Sequence, residues 1–75
     1  SIGNILLMIN EHKDWAVALF RKNIELYPSE GNLWDSLGYG YKANNQIEDA
    51  IKSYQKAIEL GYEDSHKKLN DLKKN

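Results

Sequence analysis

Trp34-Asp35-Ser36-Leu37-Gly38-Tyr39-Gly40-Tyr41, followed by Ala50-Ile51-Lys52-Ser53-Tyr54-Gln55-Lys56-Ala57, decides how this chain folds. In and around the second stretch, Ile47, Ala50, Ile51, Tyr54, Ala57 and Ile58 recur at spacings of three and four. That spacing gathers them into one apolar stripe on a helix of 3.6 residues per turn. Glu48, Asp49, Lys52, Ser53, Gln55 and Lys56 fall on the outer face. By the same arithmetic Trp34, Leu37, Gly38 and Tyr41 share one side of a preceding helix over about residues 31–43. Asn44-Asn45 ends that helix with a residue type that tolerates the left-handed conformation. The two helices are expected to form an antiparallel hairpin. Gly38 in a helix interior costs about 1 kcal/mol relative to Ala, a cost that is offset if the missing side chain lets the neighbouring helix approach closely.

The pattern repeats upstream. Ala16, Phe20, Ile24, Glu25 and Leu26 stand 34 positions before Ala50, Tyr54, Ile58, Glu59 and Leu60. A Trp-Leu-Gly-Tyr run, then Ala and an aromatic, at a period of 34 resembles the tetratricopeptide repeat. The resemblance implies an all-α fold of antiparallel helix hairpins stacked as a short right-handed solenoid, about two repeats plus a C-terminal capping helix. A single domain over 1–75 is expected, with repeat 1 at about 1–30, repeat 2 at about 31–62 and the capping helix at about 64–74. In repeat 1 the second helix covers about 13–27 and ends at Pro28-Ser29-Glu30-Gly31, because Pro cannot continue a helix. Ile2-Gly3-x-x-Leu6 aligns with Leu37-Gly38-x-x-Tyr41 if the turn near Asn10 to Lys13 holds one extra residue. Asn23 departs from the pattern, standing where repeat 2 has Ala57.

Beyond Leu60, Gly61 is expected to supply the helix-ending conformation, and Asp64 or Ser65 to cap the last helix. Leu69 and Leu72 are its apolar residues, against Lys67, Lys68, Asp71, Lys73 and Lys74. A thin apolar stripe under a polar exterior suits the terminal helix of a solenoid. More narrowly, Asn23-Ile24-Glu25-Leu26-Tyr27-Pro28 running on to Trp34-Asp35-Ser36-Leu37-Gly38 resembles the repeat tail found after the catalytic domain of some bacterial serine hydrolases and esterases.

Composition removes several function classes. Ten basic and eleven acidic residues leave a net charge of −1, which gives no electrostatic footprint for nucleic acid. There is no cysteine, hence no disulfide and no thiolate metal site, and the compartment stays open. The longest apolar run, Ile5 to Ile9, is far short of the roughly 20 residues that span a bilayer. The chain starts without Met and partway through its leading helix, as expected of a segment of a longer protein.

Catalysis finds no support in the residue patterns. Asp64-Ser65-His66 has the residue types of a nucleophile triad, but adjacent helical positions diverge by about 100° and cannot bond in series. Glu11-His12-Lys13-Asp14 reads as a solvated turn, since two histidines on different repeats make no coordination set. Ser36 lacks both a Gly-x-Ser-x-Gly context and a nearby base. No enzyme activity, cofactor or metal is expected.

Binding is the better expectation. Asn32, Asp35, Tyr39 and Lys42, spaced three, four and three, form a second stripe on the Trp34 helix. The resemblance implies that this stripe lines a concave groove for a protein or peptide partner, extended by Asn4, Leu7 and Met8 on one side and by His66, Leu69 and Lys73 on the other. Tyr39, Asp35 and Ser36 do not reproduce the basic cluster with which chaperone-binding repeat domains clamp a terminal carboxylate. Trp15 and Leu19 correspond to Asp49 and Ser53 in repeat 2, so the fold does not require apolar groups there. With Ile5 they form a candidate docking patch, for a weak homodimer or for an upstream domain of the same chain. The two readings carried forward are a protein-interaction or domain-docking module and an accessory tail that positions or oligomerises a hydrolase.

Overall fold

The computed structural model describes residues 13–74. Four helices follow one another: α1 Lys13–Leu26, α2 Gly31–Ala43, α3 Ile47–Glu59 and α4 Ser65–Lys73. Each packs on the next, giving an all-α stack of antiparallel hairpins of the tetratricopeptide type. The residues assigned to the leading helix of repeat 1, with Asn4, Ile5, Leu7 and Met8, lie outside the described residues.

Two connections close in the same way. After α2, the Gln46 amide donates to the Tyr41 carbonyl at 2.8 Å and the Asn45 amide to the Lys42 carbonyl at 3.0 Å. After α3, the Tyr62 amide donates to Ala57 and the Gly61 amide to Ile58, each at 2.9 Å. Both are Schellman closures, which need a left-handed residue between helix and exit. Asn45 takes that role at φ 62° and Gly61 at φ 92°. Residues 28 and 29 make the turn after α1, and the Trp34 indole Nε1 donates to the Pro28 carbonyl at 3.0 Å. Trp34 therefore ties α2 back to the turn that precedes it.

The core lies in two clusters. Val17 and Ile24 of α1 pack with Leu37 of α2, flanked by Phe20, Leu33 and Trp34. Ala50 and Tyr54 of α3 pack with Leu69 and Leu72 of α4, flanked by Ile47, Ile51 and Ile58. Tyr41 touches both. The apolar stripe read from the spacing is thus the buried face of α3. At Gly38 a Cβ would stand 2.8 Å from the Tyr54 ring, so the missing side chain is what admits that ring.

Three expectations are corrected. Ser53 is buried rather than on the outer face, because the side of α3 that carries it looks towards α1. Leu69 is buried against Ala50 and Tyr54 rather than extending a groove. Asp64 makes no side-chain cap bond. Its backbone is already helical, at φ −59° and ψ −22°, whereas a capping residue needs extended geometry to turn its oxygen back onto the first amides. Ser65 does not cap α4 either, since its hydroxyl is turned to Asp35.

Candidate functional site

Helix α2 turns one face to the core and leaves part of the other in water. Trp34, Leu37 and Tyr41 point into the α1 and α3 layer, and the stripe of Asn32, Asp35, Tyr39 and Lys42 lies half a turn around the helix. Of these, Asn32, Tyr39 and Lys42 are exposed. Tyr39 leaves 64% of its surface in water, and with Lys42 and Ala43 it lines a hollow of about 150 Å³.

Asp35 does not stay in that exposed stripe. It is buried, accepting a 2.5 Å hydrogen bond from the Ser65 hydroxyl and a 2.7 Å bond from Lys68 Nζ. The carboxylate is a strut between α2 and α4. A buried carboxylate needs such partners because an unpaired charge away from water is costly. Bonding to Asp35 raises the Lys68 ammonium above its usual range, against the opposing effect of burial. Burial, then the Asp35 charge, raises the Tyr54 phenol above its ordinary value.

On α4, His66 and Lys73 are exposed. His66 Nε2 lies 3.5 Å from Glu63, a neighbour one turn back. Because Ser65 is fixed to Asp35, the start of α4 is held beside the α2 stripe. Asn32, Tyr39 and Lys42 are exposed on α2, on either side of the buried Asp35, and His66 and Lys73 are exposed on α4. Trp15 and Leu19 are 63% and 45% exposed on α1. Among the described residues no group of three or more His, Cys, Asp or Glu side chains is arranged to hold a metal ion, and no helix is long and apolar enough to cross a membrane.

A larger concavity was not foreseen from the sequence. Between α1 and α3, over a floor of Ile24, Trp34, Leu37 and Tyr41, lies a cleft of about 410 Å³. Its one sequence signal is the 34-residue offset that pairs Ser53 with Leu19. A position apolar in one repeat and polar in the next is a position whose neighbour changes.

Comparison with known proteins gives two relatives. The chain is similar to a stretch of the peroxisomal targeting signal receptor of Eremothecium gossypii, 34% identical over 56 residues. It is likewise similar to the peroxisomal targeting signal receptor of Candida albicans, 30% identical over 56 residues. The match takes in 75% of this chain and 10% of each receptor, so the chain spans about a tenth of the length of the curated relatives it matches. No family model matches the chain, and no solved structure does. Neither relative is a hydrolase or an esterase by name, and the expectation of a bacterial hydrolase tail draws no support from them. What stands is an all-α stack of helix hairpins whose sequence is akin to a small part of two fungal receptors.

Proposed function

We propose that this chain is a protein-interaction module that binds a peptide or partner surface along the exposed row of α2, through Asn32, Tyr39 and Lys42, with His66 and Lys73 of α4 at its edge. The observation that carries the reading is Tyr39. It is a large aromatic held in water by a rigid helix whose core face lies on the other side, and it stands beside a cation over a small hollow. Tyrosine in that setting offers stacking area and a hydroxyl at low entropic cost, and such residues dominate binding energies. Lys42 would favour acidic ligands or a terminal carboxylate. Asn4, Leu7 and Met8 belong to the same proposal as its extension on the N-terminal side. The names of the relatives support a receptor role, with a peptide as the thing received.

Selection of binders from a random-peptide display library tests this, with the unmodified chain and a Tyr39→Ala, Lys42→Glu variant as baits. Peptides that bind the former and not the latter are expected. Because the relatives are targeting-signal receptors, a synthetic peptide ending in Ser-Lys-Leu, a peroxisomal address, is the directed probe for amide shift mapping. Failure to enrich any peptide, or enrichment indifferent to the two substitutions, would overturn recognition by this face.

A further inference from the structure

We infer that the cleft between α1 and α3 is a second binding site, for a small carboxylate carried on an aromatic or aliphatic group. It opens on the side of α2 opposite to Tyr39 and is independent of the α2 row. Its volume of about 410 Å³ falls within the range of roughly 300–1,000 Å³ typical of small-molecule sites. The floor is apolar and aromatic, which drives burial of a hydrocarbon group without fixing its orientation.

Orientation would come from the walls. Arg21 stands on the α1 side and Lys52 on the α3 side, and neither has an ion pair among the described residues. Two acids also line the cleft, Glu25 and Asp49, but each has a partner close by in the chain. Glu25 lies 3.9 Å from Lys22 Nζ. Asp49 accepts a hydrogen bond from Gln46 Nε2 at 3.2 Å and sits in the first turn of α3, where the helix dipole favours negative charge. Arg21 and Lys52, one on each wall, are therefore the charged groups of the lining that have no partner among the described residues. A carboxylate placed between them would pair with both, with the guanidinium able to offer two parallel donors, while the apolar part of the ligand covers Ile24 and the Trp34 ring.

The probe is 4-(trifluoromethyl)phenylacetate, followed by fluorine NMR, beside its neutral primary amide. The acid is expected to bind more tightly than the amide by about fivefold, the scale of one exposed ion pair. Arg21→Gln with Lys52→Gln, both at exposed positions, should abolish that preference while leaving the melting curve in place. Amide shifts on acid binding should centre on Arg21, Trp34 and Lys52. Equal binding of acid and amide, shifts centred on Tyr39 and Lys42, or no binding of the acid at about 10 mM, a concentration that reveals even very weak ligands, would each overturn the assignment.

Discussion

Gly38 has no room for a side chain, and the reason is one ring. Tyr54, 1% exposed, presents its Cδ1 and Cε1 atoms 2.8 Å from where a Cβ would stand, and a fully enclosed ring cannot retreat. Gly38→Leu is therefore expected to destabilise the chain by about 1–3 kcal/mol or more, as overpacking does. Gln55→Leu, on the exposed side of α3, should stay within about 0.5 kcal/mol. Denaturant melts decide between them, and equal effects would mean that the α2 and α3 contact is misplaced. The closeness at Gly38 was legible because a glycine amid an otherwise regular helical period needs a reason. The Asp35 strut was not. Its partners lie 30 and 33 residues away, and a period of three and four gives the same weight to an aspartate in water and to one under a neighbouring helix. Asp35→Ala should cost about 1–3 kcal/mol by stranding the buried Ser65 hydroxyl. Lys68→Met should also destabilise the chain, because it leaves the buried Asp35 carboxylate without its cation.

At the scale of the helix, α4 is the shortest of the four at nine residues. Leu69 and Leu72 are its apolar contacts with α3, and Ser65 and Lys68 bond it to α2. Leu72→Ala is expected to cost about 2–5 kcal/mol, the range for truncating a core leucine, and to raise hydrogen exchange in α4 before α1. Uniform exchange across all helices would show that α4 does not open by itself. Alkali should act on the same junction. Lys68 and Tyr54 both titrate above their ordinary values in the folded chain. A group with a raised folded pKa contributes stability that is complete below its unfolded pKa and is lost as pH rises through the folded one. Stability should therefore fall above about pH 10, and part of the fall should vanish in Lys68→Met. Thermal melts from neutral to alkaline pH measure this. The helix boundaries and both Schellman exits were readable from Asn44-Asn45 and Gly61, since the left-handed conformation is available to few residue types. The absence of a side-chain cap at Asp64 was not, because capping depends on a backbone angle that Asp64 does not adopt.

At the scale of the molecule, what the fold leaves in water is as informative as what it hides. Trp15 and Leu19 lie one turn apart on α1 with much of their surface exposed, and reburying a large apolar group is worth about 1.5–3 kcal/mol. The chain is expected to self-associate weakly at high concentration, and Trp15→Glu with Leu19→Glu to return it to monomer without unfolding. Sedimentation over about a hundredfold range of concentration, wide enough to cross a micromolar dissociation constant, would rule this out by showing a constant monomer mass. Tyr41 has a wider consequence. It leans on both core clusters, and together with the Gly38–Tyr54 contact and the Asp35 strut it couples the two halves of a nearest-neighbour chain. Tyr41→Ala should then weaken the molecule's all-or-none character before it costs much secondary structure. Calorimetry would find a van't Hoff enthalpy smaller than the measured heat.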